Sequence, residues 1–234
     1  MRHSRLAGAW RSHHRVPPLR HLTAPRSLLL VHGAGSGPWI FDAWLDAFPG
    51  LDVRAVDLPV GDGATMEDYA AAIVQAAARL DPGPLALCGW SMGGLAAMMA
   101  ASQAQPDCLV LLEPSPPVEV QGSDDAVELV RGTFDPEEAY GAFPPGIRSR
   151  SESTVARAER KRGVAVPTLT SRTLVVYGNS FPEDRGRRLA RHYGAEELEF
   201  PDVDHWGLIL DCRVPRAIAS WLGAQHGTSS TVPD

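Results

Sequence analysis

From Ser27 onward, short apolar runs alternate with segments that carry helix signals. Ser27–Val31 (SLLLV), Val53–Val56 (VRAV), Leu85–Cys88 (LALC), Cys108–Leu112 (CLVLL), Thr173–Tyr177 (TLVVY) and Glu197–Phe200 (ELEF) read as strands closed off by loop residues. Between them, Thr65-Met66-Glu67-Asp68 has the form of a capping box, and the helix it opens runs through AAAIVQAAARL to Pro82-Gly83. Gly93–Gln105 is an Ala- and Met-rich helix stopped by Pro106, and Asp184–Tyr193 and Pro215–Leu222 read as two more. Continuous Val, Leu and Ile runs indicate strands buried on both faces, and their alternation with helices predicts a three-layer α/β domain with about six mostly parallel strands. Residues 114–170 break the rhythm. They are rich in Pro, Gly and charge, with one helical stretch near Ser153–Arg162, and predict a small cap after the fourth strand.

Parallel α/β sheets bind ligands outside the carboxyl ends of their strands. The residues that follow the runs therefore become candidates: His32, Asp57, Ser91, Glu113, Asn179 and His205.

Composition is that of an ordinary globular domain, with 44% hydrophobic and 21% charged residues. The 234 residues suit one large domain, taken as 26–223, rather than two. Charge is unevenly spread. Residues 1–25 hold five arginines and no acid, which leaves 17 basic against 28 acidic side chains in the rest. An acidic body excludes nucleic acid as an expected partner, because binding phosphates needs a basic surface. The basic segment 1–25 lacks the apolar stretch of a secretory signal and reads as a disordered extension, with a transit peptide as the alternative. The polar residues 224–234 read as a flexible tail. Cys88, Cys108 and Cys212 form an odd set without metal-ligand spacing, which fits a reducing compartment and a cytoplasmic location. No apolar run reaches the roughly 18 residues of a membrane-spanning helix.

Gly89-Trp90-Ser91-Met92-Gly93 directly follows a strand and directly precedes a helix, the setting that a G-x-S-x-G nucleophile turn requires. Glycines at 89 and 93 remove side chains that would collide as the chain bends sharply to project the serine hydroxyl. A serine hydroxyl needs a base. Of the eight histidines, four lie in the first 25 residues, His192 is mid-helix, His226 is in the tail and His32 belongs to the loop after the first strand. His205, after the last strand, remains as the base. Oxyanion stabilisation needs backbone N–H donors. The expected donors are Met92, next to the nucleophile, and Ala34 in the loop His32-Gly33-Ala34-Gly35-Ser36-Gly37, with His32 bracing that loop.

On the stretches HGAGSGPW (32–39), DLPVGDG (57–63), GWSMGG (89–94), VVYG (175–178) and DHWG (204–207), in this order, the chain resembles the α/β-hydrolase family from about Ser27 to Leu222. The resemblance implies the family's fold without its first two strands, and a triad in chain order Ser, acid, His. Most members carry an Asp in the loop after the strand matching TLVVYG, where this chain has Phe181. Two readings stay open for the acid. Glu113, which ends the preceding strand, is favoured, since some members take their acid from that place. Asp184 or Glu183 is the alternative. Serine at position 91 excludes the alkyl-ester chemistry of members that have Asp there and implies acyl transfer.

The expected activity is therefore cleavage of a small-molecule ester or thioester through an acyl-enzyme, with no metal or organic cofactor implied. A lyase or C–C hydrolase using the same triad, or a catalytically idle ligand-binding homologue, are the alternatives. Phe134, Tyr140, Phe143 and Ile147 are candidates for an acyl pocket or for packing the cap on the body. The run Arg148–Arg162, with six basic and two acidic residues, reads as a solvated helix face or as a patch that attracts an anionic substrate.

Overall fold

The computed structural model describes residues 24–166, 168–181 and 184–224. The basic segment up to residue 23, the tail from residue 225 and Glu183 lie outside them. In chain order the strands are β1 (Ser27–Val31), β2 (Asp52–Val56), β3 (Leu85–Trp90), β4 (Cys108–Leu112), β5 (Thr133–Phe134), β6 (Glu152–Ser153), β7 (Arg172–Tyr177) and β8 (Glu196–Glu199). The α-helices are α1 (Met66–Ala77), α2 (Met92–Ala104), α3 (Val118–Gln121), α4 (Pro136–Tyr140), α5 (Thr154–Arg162), α6 (Arg185–Tyr193), α7 (Gly207–Leu210) and α8 (Arg213–Gly223). A 3-10 helix covers Pro38–Trp44.

Six strands form one sheet in the order β2-β1-β3-β4-β7-β8, every neighbouring pair parallel. This is the predicted three-layer architecture, because each central strand is apolar on both faces. Leu29, Val31, Leu87, Leu109, Leu111 and Val175 point to one side and pack with residues of α1, α2 and α6. Leu28, Leu30, Cys88, Val110, Leu112 and Val176 point to the other and pack with the 3-10 helix, α7 and α8. The edge strand β8 (Glu-Glu-Leu-Glu) is largely exposed and carries three carboxylates, which deters pairing with a foreign strand. No helix among the described residues is long and apolar enough to cross a membrane.

Local signals explain the element ends. Thr65 Oγ1 accepts from Asp68 N at 3.1 Å and Asp68 Oδ2 accepts from Thr65 N at 2.9 Å, so the capping box closes at both ends. α2 stops at Gln105, which takes a left-handed conformation just before Pro106. β3 runs two residues further than its apolar stretch suggests, so Ser91 follows the strand without a spacer.

Residues between β4 and β7 form a cap segment whose contacts fall on loops at the carboxyl edge of the sheet. Arg150 N donates to Gly35 O at 2.9 Å, Gly132 N to Asp62 O at 2.9 Å, and Ser153 Oγ to Ala64 O at 2.7 Å. The basic run in this segment is not one solvated face. Arg160 is buried with Glu152 in an ion pair that also bonds Tyr140, and Arg150 turns inward. Desolvation makes buried charges costly, and pairing offsets that cost.

The 3-10 helix and α7 are too short to leave a periodic signature, yet they meet directly. Trp44, 1% exposed, donates from Nε1 to Ile209 O at 2.8 Å and packs against Phe41 and Phe48. That bond fastens the turn just after His205. Trp44→Phe should cost about 1–2 kcal/mol, mostly from the stranded carbonyl, and Trp44→Ala about 3–5 kcal/mol from the cavity. Urea unfolding of the two variants measures the difference.

Candidate active site

The bend after β3 brings the first candidate to the sheet edge. Ser91 has φ 54° and ψ −121°, a conformation that L-residues rarely adopt and that costs on the order of 1–3 kcal/mol. Its backbone is held from three sides. Ser91 N donates to Leu112 O on β4 at 2.9 Å, and Ser91 O accepts from Gly94 N at 3.0 Å and from Ser115 N at 2.9 Å. The glycines make the bend possible. A Cβ at Gly93 would stand 2.3 Å from His32 O, and one at Gly89 would stand 2.5 Å from Gly93 O. Neither carbonyl can move without breaking the turn or the loop after β1. Met92 opens α2, where first-turn N–H groups have no intrahelical acceptor. Ala34 packs against the same core layer as Met92 and lies in the loop after β1, which is held by Ser36 Oγ donating to Gly33 O at 2.9 Å.

His205 and Glu113 meet. His205 Nδ1 lies 2.6 Å from Glu113 Oε2, and the other carboxylate oxygen accepts from Gly178 N at 3.0 Å. Glu113 is 2% exposed and has φ 41°, so it too is a strained residue at a strand end. Because an ionised carboxylate only accepts, Nδ1 carries the proton and Nε2 is left as the acceptor. Asp184 stands elsewhere. It precedes α6 with its side chain 69% exposed and faces Arg187 at 3.5 Å.

The loop after β7 supplies no carboxylate to His205 but braces it. Asn179 N donates to Val203 O at 2.8 Å, and Ser180 Oγ accepts from His205 N at 2.7 Å. The Trp90 ring stacks on the imidazole at 4.8 Å and donates from Nε1 to His205 O at 3.1 Å. Phe181 meets the same imidazole edge-on at 5.5 Å. Trp90, Ser180 and Phe181 escaped the sequence reading. Trp90 had a visible signal, being the residue between Gly89 and Ser91, whereas Ser180 had none. Asp204 points away and accepts from Gly207 N at 2.6 Å.

His32 braces rather than reacts. Nδ1 donates to Gly33 O at 2.9 Å, while Nε2 accepts from Leu58 N at 3.3 Å and from Arg150 Nη2 at 2.9 Å. Arg150 also donates to Leu58 O at 3.1 Å and pairs with Asp57 at 2.7 Å. Burial lowers the His32 pKa to about 4; the hydrogen bond to Gly33 O opposes this, the Arg150 charge lowers it further, and Asp57 opposes by the least. Of the cap aromatics, Phe143 packs on Trp206 at 4.7 Å and Phe134 on Tyr140 at 5.8 Å. Ile147 packs against the core layer that contains Trp90.

With this geometry in view, the sequence matches the Alpha/beta hydrolase family over residues 28–228. The chain belongs to that family. Within it, 84 residues are 39% identical to the pimeloyl-[acyl-carrier protein] methyl ester esterase of Neisseria meningitidis serogroup B, covering 34% of this chain and 32% of that protein. The chain thus aligns with about a third of the length of that relative. Two crystal structures share the fold of this α/β-hydrolase. ClbQ from the colibactin NRPS/PKS pathway superposes with a TM-score of 0.65 at 15% identity, covering 86% of this chain and 98% of that one. A thermophilic esterase from Thermogutta terrifontis gives 0.64 at 21% identity, covering 86% and 90%.

His32 remains neutral in the folded protein down to about pH 4 but takes up a proton near pH 6.5 once unfolded. Unfolding therefore binds a proton between those values, and stability falls as pH drops from 6.5 to 4, by on the order of 3 kcal/mol in all. His32→Asn removes the titrating group. Urea unfolding at pH 7 and pH 4.5 should show a smaller loss in this variant than in the wild type, and equal losses would acquit His32.

Proposed function

We propose that this α/β-hydrolase cleaves a small carboxylic ester or thioester through an acyl-enzyme. Ser91 is the nucleophile, His205 the general base and Glu113 the acid that orients it. The observation that carries the reading is the 2.6 Å contact between His205 Nδ1 and buried Glu113, at the same sheet edge as the strained Ser91 turn. The carboxylate fixes the proton on Nδ1, which leaves Nε2 free to take the serine proton. As Ser91 Oγ attacks the carbonyl carbon, the oxygen becomes negative and is met by the N–H groups of Ala34 and Met92. The imidazolium then gives its proton to the leaving alcohol or thiol. Water repeats the sequence and releases the acid.

Ester chemistry is further supported by the Neisseria relative, a methyl ester esterase, and by the Thermogutta esterase that shares the fold. A homologue that keeps the pocket without turnover would fit a chain with no acid for His205, and the loop after β7 offers none to it among the described residues. Glu113 meeting His205 from the end of β4 supplies one by another route.

A fluorophosphonate probe should label the wild type once per chain, and Ser91→Ala should not label. Labelling retained in that variant would remove Ser91 from the role. On p-nitrophenyl esters, Glu113→Gln should lower kcat by on the order of 10³–10⁴, while Asp184→Asn stays within about twofold. The reverse ranking would move the acid to Asp184.

A further inference from the structure

A cavity of about 230 Å³ lies in the cap segment and is closed on one side by Arg185 of α6; its other lining residues are Ser115, Pro116, Gln121, Tyr140, Arg157, Arg160 and Lys161. Four of the lining residues are cations and none is an acid. In a chain of net charge −6, such a concentration of one sign is against the average. A concave site with low-dielectric walls focuses that potential. The cations have different duties. Arg160 is neutralised by Glu152, and Arg185 donates to Pro114 O at 2.8 Å and lies 4.2 Å over the Phe181 ring. Arg157 stacks on Phe134 at 4.7 Å and its buried Nε has no hydrogen-bond partner among the described residues. Lys161 is exposed at the end of α5. Lys161 therefore leaves positive charge that no carboxylate of the lining balances, and Arg157, which shares Glu152 with Arg160, adds a second cation at the same wall.

Two contacts link the cavity wall to the site. Its wall residue Ser115 donates from its backbone to Ser91 O at 2.9 Å. Its wall residue Arg185 carries Phe181, which in turn borders the His205 imidazole.

We propose that this cavity receives an oxyanion, carboxylate or phosphate, borne on the substrate a few bonds from the ester cleaved at Ser91. The inference rests on the esterase reading above and narrows its substrate class to anionic esters. Arg157 and Lys161 provide the charge-assisted contacts, and Tyr140 and Arg160 form the floor.

The test compares two esters of similar size, neutral p-nitrophenyl butyrate and mono-p-nitrophenyl glutarate, which ends in a carboxylate. The ratio of kcat/KM, anionic over neutral, should fall about tenfold or more in Arg157→Gln with Lys161→Gln, through KM rather than kcat. Lys161→Glu alone, at an exposed position, should lower the same ratio and guards against a loosened α5. Calorimetry with glutarate and with inorganic phosphate, on the Ser91→Ala protein, reads the site without turnover and tells carboxylate from phosphate. Binding lost in the double variant supports the proposal. An unchanged ratio, or binding that is absent or indifferent to both variants, overturns it. If neither ester is cleaved but an anion binds at these residues, the esterase reading fails and the anion site stands.

Discussion

The close approach of backbone around residues 89–94 constrains everything near the site. Ser91 adopts a conformation that only strong neighbours maintain, and the neighbours come from three strands: Leu112 on β4 takes its N–H, Gly93 lies against Val31 and His32 after β1, and Gly89 lies against the start of α2. Strain of this kind persists where the surroundings over-determine it. Here the surroundings are the parallel register itself, since Gly89 and Trp90 pair with Leu111 and Leu112 across β3 and β4. The sheet thus fixes the serine turn, and the next residue after β4 is Glu113. The proposed nucleophile and its proposed acid are set by adjacent strand ends, so their relative position inherits the rigidity of the core.

The proposed acid at the end of β4 changes what the loop after β7 would have to do. Relieved of a carboxylate, that loop offers Gly178 N to Glu113, Ser180 Oγ to the His205 backbone and the Phe181 ring to the imidazole. With Trp90 stacked on the other side, His205 is enclosed by aromatic surface and anchored through its backbone at both N–H and C=O. The imidazole is oriented by packing as much as by its carboxylate. Orientation of this kind supplies a large share of the rate of preorganised sites.

Much of this was legible in the residues. The apolar runs of the inner strands β1, β3, β4 and β7 were readable because strands buried on both faces leave uninterrupted Val and Leu stretches, and the edge strands β2 and β8 were read from shorter, mixed runs. The Thr65 capping box and the Pro106 stop were readable because their chemistry is local. The serine turn was readable because its glycines are obligatory. Other parts were illegible for equally physical reasons. Whether Glu113 or Asp184 faces His205 depends on contacts across 92 positions of sequence, which no spacing encodes. The inward turn of Arg150 and Arg160 was hidden in a run of like charges that resembles a wetted helix face. The short α7 and the 3-10 helix lacked enough turns to show a period, and the Trp44 hydrogen bond that joins them spans 165 positions of sequence.

Arg150 has one more implication. It reaches from the cap to the Gly35 carbonyl, the His32 ring, Leu58 and Asp57, so it fastens the lid to the same strip of backbone that carries Ala34. Lifting the cap away from the body means undoing the bonds that hold that strip in shape. Admission of a ligand and alignment of the floor beneath it are thereby geared to each other: a molecule of this protein with its cap raised is also one whose loop after β1 has lost its clasp.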